Sequence, residues 1–291
     1  MAKYSLSNNQ LGIIVNTFGA ELCSVTSKTD AVEYIWQADA SLWPRHAPNL
    51  FPIVGKLKDG SYTYNGTQHE LPQHGFARDM EFICIEESAD KLRFELTANE
   101  ETLKKYPFHF SFQVAYHLQD DTLDISYSVF NPSYEALYVS LGAHPAFNCP
   151  LQAHETFEDY ELQFDGMNLL TVNKLHEGLV EDETKVIHLS DHKLHLHPSL
   201  FEKDALVLKN GQIRKLRLSS TQSGHGVEMT CENWPYFGIW TKPGTSSFLC
   251  LEPWHGIADA SHADGSLEKK EGMIRVPSEE SFHASFSLKF L

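Results

Sequence analysis

Strict alternation of apolar and polar residues marks three stretches of this chain and favours antiparallel β-structure. In residues 110–118 every second side chain is aromatic or aliphatic, and the pattern repeats in residues 123–129 after turn formers at 119–121. It returns in residues 282–290. Because successive side chains of a strand point to opposite faces, each stretch predicts a strand with one buried face, and the first two predict a hairpin.

The rest of the chain fits the same fold class. Helical periodicity is weak except around residues 100–105, and no Pro/Gly/Ser-rich linker, low-complexity tract or repeat divides the 291 residues. We therefore expect an all-β fold, a large antiparallel β-sandwich with minor short helices, forming a single domain over residues 1–291. Residues 176–197, with five histidines among charges and turn formers, predict an exposed hairpin or loop.

Composition narrows the possible partners and location. The formal net charge of −16 argues against nucleic-acid binding and against an anionic membrane surface, which leaves a small molecule as the expected partner. The five cysteines are scattered and contain no CxxC pair, so neither a disulfide framework nor a thiolate zinc site is indicated. With no signal-peptide core and no long apolar run, we expect a cytoplasmic monomer or homodimer.

Three short segments each place one ionisable side chain beside turn formers and aromatic residues. They contain His74, His144 and Glu252, and together these groups could move protons in an enzyme cleft. Glu252 follows an apolar run and is expected to end a buried strand, where desolvation would raise its pKa towards that of a general base. The alternatives are a solvated or hydrogen-bonded histidine in each of the first two cases and an ion-paired carboxylate in the third.

Other residues are candidates for contacts with a ligand. Arg45 and Lys56 flank an apolar, proline-containing run that could line a pocket, and Trp240 lies in an aromatic and glycine-rich run that could supply a stacking wall. Corners of a β core would explain that aromatic run equally well. Asn148 follows an aromatic residue closely after His144, a combination suited to a sugar ring with apolar faces and hydroxyl edges.

One histidine cluster invites a metal interpretation. His192, His195 and His197 form an HxxHxH pattern, but no carboxylate or cysteine at a zinc-type spacing completes a site. Adventitious metal affinity is the expected consequence. We therefore expect no functional metal, while a cupin-like metal enzyme that uses this cluster stays as an alternative.

The order of these motifs resembles the aldose 1-epimerase (mutarotase) family, most closely its LacX-type branch, and is also similar to the hexose-6-phosphate 1-epimerases. The resemblance covers nearly the whole chain and is carried by residues 47–52 with 55–56, 73–78, 143–148 and 251–254. It implies a galactose mutarotase-like supersandwich with an open cleft on one sheet. It also implies a hexose substrate and no metal or organic cofactor.

The resemblance further implies a role for each ionisable residue. Glu252 falls at the position of the general base, His144 at that of the general acid, and His74 at that of a histidine that orients the sugar and polarises the ring oxygen. The galactose mutarotases carry an arginine at the position of Lys56, whose ammonium cannot form a bidentate fork. Arg45 and Arg78 are the candidates to compensate.

Two related functions stay open beside hexose mutarotation. The phosphorylated-sugar branch of the fold uses arginines to hold phosphate, and only Arg45 and Arg78 lie near the motifs, so a hexose-6-phosphate epimerase is one alternative. A non-catalytic carbohydrate-binding or sugar-sensing protein is the other. A pure binder needs no paired acid and base, and the presence of His144 with Glu252 therefore favours the epimerase.

Overall fold

The computed structural model describes residues 1–291, and most of its regular secondary structure is β-strand. Strands take 49% of the residues and helices 7%, which confirms the all-β prediction. The strands are β1 (Lys3–Ser7), β2 (Leu11–Asn16), β3 (Glu21–Ser27), β4 (Asn49–Leu50), β5 (Ser61–Tyr64), β6 (Thr67–Glu70), β7 (Ile83–Glu87), β8 (Lys91–Thr97), β9 (Ser111–Gln119), β10 (Thr122–Phe130), β11 (Leu137–Val139), β12 (Leu141–Ala143), β13 (Ala146–Asn148), β14 (Tyr160–Phe164), β15 (Leu169–His176), β16 (Leu179–His188), β17 (Lys193–His195), β18 (Leu206–Leu208), β19 (Lys215–Ser220), β20 (Gly226–Thr230), β21 (Tyr236–Trp240), β22 (Phe248–His255), β23 (Ile274–Val276) and β24 (Ser281–Phe290).

The helices are short. The one α-helix, α1 (Glu100–Lys105), lies where weak helical periodicity occurs, and it begins with a capping box in which the Asn99 side chain accepts from the Thr102 amide and the Thr102 hydroxyl accepts from the Asn99 amide. None of the helices has the length and apolar content that a membrane crossing requires. The remaining helical turns are 3₁₀ segments at Lys58–Gly60, Ala77–Asp79, Phe157–Asp159 and Pro198–Phe201.

Two large antiparallel sheets dominate the fold. One has nine strands in the order β17-β14-β19-β20-β24-β10-β9-β8-β7, and the other has eight, in the order β16-β15-β18-β21-β22-β12-β4 with β13 also paired to β22. The predicted hairpin is β9–β10, in which Tyr116 lies opposite Ile125, and the chain end forms β24 beside β10. The alternation seen in the sequence therefore reports real strands, each with its apolar face buried.

The two large sheets pack face to face around one core. Phe51, which follows β4, stacks on Phe112 of β9 with ring centroids 4.4 Å apart, and the Tyr127 hydroxyl of β10 donates to the Asn49 carboxamide oxygen at 2.8 Å. A single cluster of 66 buried residues extends from Leu6 to Phe290. These contacts across the interior establish the expected sandwich.

The prediction that Glu252 ends a buried strand is wrong. β22 continues through Glu252 and Pro253 to His255, and it stays paired with β21. The Leu251 amide points away from β21 and donates to the Pro145 carbonyl. Pro253 lies two residues further along the strand, so its nitrogen faces the same side. On that side the neighbouring chain is interrupted between β12 and β13. Proline is tolerated there because no ladder bond is lost.

The histidine-rich region begins at the turn of the β15–β16 hairpin and contributes its second arm, β16, which is mostly exposed as expected, whereas almost all of the first arm, β15, precedes the region. The three clustered histidines lie beyond the hairpin and contact different partners, the first of which is the Met167 carbonyl beside His192. His195 lies 3.7 Å from Glu161, whereas His197 caps a 3₁₀ segment and lies 3.3 Å from Glu158. None of the three belongs to a group of potential metal ligands in the structure.

His255, at the end of β22, should make the fold sensitive to acid. Its ring packs against Trp234 and Phe282 with centroids 4.5 and 5.0 Å away, and burial lowers its pKa from 6.5 to about 4. Below pH 6.5 the unfolded chain binds a proton here that the folded chain does not. The free energy of unfolding should therefore decrease as the pH is lowered from 6.5 to about 4, by up to about 1.4 kcal/mol per pH unit.

Chemical denaturation of the protein and of His255→Gln across this pH interval measures that contribution. The variant should show the shallower decline, because its unfolded chain gains one proton fewer. Equal slopes for the two proteins would contradict the assignment.

Candidate active site

A cavity of about 470 Å³ opens on the eight-stranded sheet, a volume typical of small-molecule sites. Of the sequence-predicted site residues, His74, Arg78, His144, Trp240 and Glu252 line it. These residues are up to 178 positions apart in the chain, counting from 74 to 252, and only the folded sheet brings them together. The cavity is therefore the place where the predicted proton-handling groups meet.

His144 and Glu252 form a direct contact at the bottom of the cavity. Nε2 of His144 lies 3.1 Å from Oε2 of Glu252, and the two side chains are 10% and 2% exposed. Glu252 projects from the middle of β22, whereas His144 lies in the interruption between β12 and β13, where its amide donates to the Pro48 carbonyl at 3.1 Å. The Trp43 ring stacks on the imidazole with centroids 5.0 Å apart and fixes its plane.

His74 approaches the same pair from a strained turn. It has φ of +66° and is followed by Gly75 with φ of +70°, and its ring meets that of His144 edge to face at 5.6 Å. The Gly55 amide donates to Nδ1 at 3.1 Å, which assigns the ring proton to Nε2. Burial, aided by the charges of the nearby arginines, holds the pKa of His74 well below 6.5, so the ring is a neutral hydrogen-bond donor.

Burial moves the pKa values of the contacting pair in opposite directions. It raises the pKa of Glu252 well above 4.5, with a further rise from the charge of Asp204. It lowers the pKa of His144 to about 3, and Arg78 and then Arg45 add to that decrease. The pair therefore holds one proton over a wide pH range, and burial favours a carboxylic acid beside a neutral imidazole over the ion pair.

An arginine pair borders the cavity on the side of His74. Arg78 lines the cavity and donates from Nη2 to the Gln73 carbonyl at 2.7 Å, while burial lowers its pKa to about 10. Asp79 lies between the two guanidinium groups, 2.9 Å from Arg45 and 3.7 Å from Arg78. Arg45 does not line the cavity and acts on it only through its charge.

Besides Arg45, two further predicted contact residues lie away from the cavity wall. The Lys56 ammonium donates to the Glu177 carbonyl at 3.0 Å, next to the turn of the β15–β16 hairpin. The Asn148 amide donates to the backbone carbonyls of Glu33 and Ile35 at 2.9 and 3.1 Å. Neither side chain is among the cavity-lining residues, because each is used to fasten a neighbouring backbone segment.

Three of the cavity-lining residues that sequence reasoning missed, Trp43, Lys242 and Asp204, are aromatic or charged. Trp43 and Trp240 meet edge to face at 5.6 Å and form an aromatic corner around His144, and the Lys242 ammonium donates to the Leu42 carbonyl at 2.8 Å, holding the segment that carries Trp43. Asp204 brings a carboxylate to the rim. Trp43 and Lys242 each precede a proline, as Glu252 does, and that context was the available signal for them, whereas Asp204 had none.

The assembled cavity offers three kinds of contact. The His144–Glu252 pair can accept one proton and donate another, the His74 Nε2–H can donate a hydrogen bond, and the tryptophan corner presents an apolar surface. Among the other ionisable groups of the wall, the cations Arg78 and Lys242 face the Asp204 carboxylate, while the His144–Glu252 pair carries no net charge. Such a site suits a small, uncharged molecule with both hydroxyl groups and apolar faces.

Comparisons with known proteins agree on the fold and the family. A family model described as Aldose 1-epimerase matches residues 2–271. Among curated proteins, the plasmid-encoded Protein LacX of Lactococcus lactis subsp. lactis is 32% identical over 295 aligned positions, covering 98% of each chain.

Solved structures match along the full length of the chain. A galactose mutarotase related enzyme from Lactobacillus acidophilus is 36% identical with a TM-score of 0.95, covering 100% of this chain and 97% of its own. A galactose mutarotase-like protein from Lactobacillus casei is 29% identical with a TM-score of 0.91, covering 100% of both chains. These matches confirm the galactose mutarotase-like sandwich, and the chain belongs to the aldose 1-epimerase family.

Proposed function

We propose that this protein is an aldose 1-epimerase that interconverts the α and β anomers of a hexose by acid/base ring opening and reclosure. The observation that carries the proposal is the 3.1 Å contact between His144 and Glu252 in a buried, aromatic-walled cavity. Burying an unpaired carboxylate without a role is unfavourable. A base and an acid held together in a site of this size are what anomer exchange requires.

In the proposed reaction Glu252 is the base and His144 the acid. Transfer of the shared proton across the 3.1 Å contact gives a carboxylate and an imidazolium without exchange with solvent. Glu252 then takes the proton of the anomeric hydroxyl, the bond between the anomeric carbon and the ring oxygen breaks, and His144 protonates that oxygen. The product is the open aldehyde beside a carboxylic acid and a neutral imidazole.

Reclosure reverses the proton transfers after the aldehyde has turned. Rotation about the bond between the first two carbons presents the other carbonyl face to the ring hydroxyl, and attack on that face gives the other anomer. His74 donates from Nε2 to the ring oxygen and orients the sugar, since its neutral state is fixed by burial and by the Gly55 amide. Trp43 and Trp240 provide stacking surfaces for the sugar ring.

The charges of the cavity favour an unphosphorylated hexose over a hexose 6-phosphate. Its two cations, Arg78 and Lys242, already donate to backbone carbonyls, and the Asp204 carboxylate would repel a dianion. Lys56 and Arg45 are likewise engaged, the first by a carbonyl and the second by Asp79. A phosphate would therefore have to compete with these partners for the cations.

Anomer exchange measured by polarimetry or NMR with glucose, galactose and their 6-phosphates tests the proposal. We expect acceleration over background with at least one free hexose and a smaller kcat/KM with its 6-phosphate. Background rates with every sugar, together with saturable sugar binding, would instead identify a non-catalytic binding protein. Faster turnover of the phosphorylated sugars would overturn the choice of substrate but keep the chemistry.

The pH dependence of kcat/KM should be broad, because activity needs the His144–Glu252 pair to hold one proton. On the acid side the pair gains a second proton only near the lowered pKa of His144, about 3, and on the alkaline side it loses its proton above the raised pKa of Glu252. We therefore expect no decrease in activity around pH 6.5, the ordinary histidine value. An acid limb centred there would show that His144 titrates as an exposed histidine.

A further inference from the structure

Glu21, Cys23 and His46 form a cluster of potential metal ligands outside the cavity wall. One ligand atom from each residue lies within 4.8 Å of the others, and Cys23 is buried while the other two are half-buried. We propose that this cluster is a structural binding site for Zn²⁺ or a similar thiophilic divalent cation, with water as the fourth ligand. The site lies beside the proposed catalytic machinery and takes no part in proton transfer.

A local irregularity of β3 aims the cysteine at the cluster. The pairing of β2 with β3 shifts by one position, because Val15 lies opposite Leu22 and Ile14 lies opposite Ser24. Cys23 is therefore the extra residue of a β-bulge. Bulges redirect a side chain that regular pleating would point elsewhere, and they are frequent next to functional sites.

The carboxylate and the imidazole leave one open atom each. Oε1 of Glu21 accepts from the backbone amides of His46 and Ala47 at 2.9 and 3.0 Å, which fixes the carboxylate. Its Oε2 lies 3.6 Å from Nδ1 of His46, an ion-pair distance that is too long for a hydrogen bond, and that buried Nδ1 makes no hydrogen bond. Two ligands of a tetrahedral zinc ion at about 2.1 Å are separated by roughly 3.4 Å, so this spacing fits one ion between them.

The chemistry of the three ligands selects the metal. A thiolate, an imidazole and a carboxylate are a donor set that zinc accepts in tetrahedral geometry, whereas calcium and magnesium prefer oxygen donors alone. The charges of the Cys23 thiolate and the Glu21 carboxylate together neutralise a divalent cation. Burial lowers the pKa of Arg78, and the charge of the nearby Glu21 carboxylate acts in the opposite direction. Because the bound ion and its two anionic ligands together carry no net charge, the ion would not place an additional positive charge near this guanidinium.

The bound ion would tie β3 to a segment that supports the proposed acid. The His46 carbonyl accepts from the Ala146 amide at 3.0 Å, and the Pro48 carbonyl accepts from the His144 amide at 3.1 Å. His46 thus begins the stretch on which the backbone of His144 rests. A ligand that binds only the folded state raises stability by mass action, so the ion should stabilise the whole protein.

Titration of chelator-treated full-length protein with Co²⁺ and then Zn²⁺ tests the site. We expect one Co²⁺ per chain, with the thiolate-to-cobalt charge-transfer band and strong visible bands of tetrahedral cobalt. Zn²⁺ should displace it and raise the Tm. Cys23→Ser should abolish the charge-transfer band and weaken Zn²⁺ binding by more than about 100-fold, beyond the loss typical of an outer-shell partner.

Two cysteine controls locate the metal. Cys84→Ser removes a half-buried thiol of β7 and should leave the cobalt spectrum unchanged. Cys250→Ser tests the other group of potential ligands, which joins Cys250 to His144 and Glu252, and should also leave the spectrum unchanged. Absence of the charge-transfer band, its persistence in Cys23→Ser, or its loss in Cys250→Ser would each overturn the proposal. His46→Gln repeats the test at a half-buried position if Cys23→Ser is unstable.

Discussion

Glu252→Gln should lower kcat/KM for anomer exchange by a factor of about 10²–10⁴, the usual contribution of a general base. Glutamine has nearly the same shape and can still contact His144, but it cannot accept the anomeric proton. Sugar affinity should stay close to that of the unmodified protein, because the aromatic walls of the cavity are unchanged.

Tryptophan fluorescence provides the binding measurement, since Trp43 and Trp240 both line the cavity. The matched control is Glu232→Gln, which makes the same chemical change at an exposed position and should keep full activity. If Glu252→Gln retained the rate of the parent protein, the role assigned to Glu252 would be wrong. If activity and binding disappeared together while the fold was intact, Glu252 would be a binding group instead of a base.

Gly75→Ala should lower the free energy of unfolding by about 4 kcal/mol or more, which is exceptional for a single substitution. Gly75 has φ of +70°, and an added Cβ would lie 2.2 Å from the Phe51 carbonyl oxygen and 2.7 Å from Pro52 Cδ. The contact cannot relax easily, because the Phe76 amide donates to that same oxygen at 3.0 Å. His74, one residue earlier, would move with the displaced turn, so activity should fall as well.

Gly66→Ala separates this close contact from the backbone conformation. Gly66 has a similar φ of +76°, but nothing lies within 4 Å of the position of its Cβ. We expect a loss of only about 1 kcal/mol, the ordinary penalty for a left-handed non-glycine residue. Chemical denaturation of both variants gives the comparison, and equal losses would show that the approach of Phe51 is unimportant.

The long strands of this fold were predictable because each carries its own signal. β9, β10 and β24 have nine or ten residues, and their alternating side chains report one buried and one open face. β4, β12 and β13 have two or three residues, too few for any period to show. Their pairing is decided by partners far away in the chain, and the continuation of β22 through Pro253 depended on the same long-range arrangement.

The residues of the candidate site also divide into those with a signal in the sequence and those without one. His74, His144 and Glu252 were found because each lies in a distinctive Pro/Gly/aromatic context, and the family resemblance supplied their roles. Asp204 had no such context and reaches the cavity only through tertiary packing. Lys242 lies in the same run as Trp240, but its contact with the Leu42 carbonyl depends on a partner 200 residues away in the chain. Asn148 had the right neighbours in sequence, but its side-chain amide donates to the backbone carbonyls of residues 33 and 35 and is not available to a ligand.

The residues that line this cavity lie at two levels, and the interruption between β12 and β13 belongs to the inner one. Glu252 on β22 and His144 in the interruption form the inner level, while much of the outer wall comes from connecting segments, including Trp43, Gly178 and Asp204. Exchange of those segments would therefore change which sugar fits without moving the groups that transfer protons. The fold can in this way diversify its choice of substrate while its chemistry is inherited unchanged, and it offers protein engineers the same freedom.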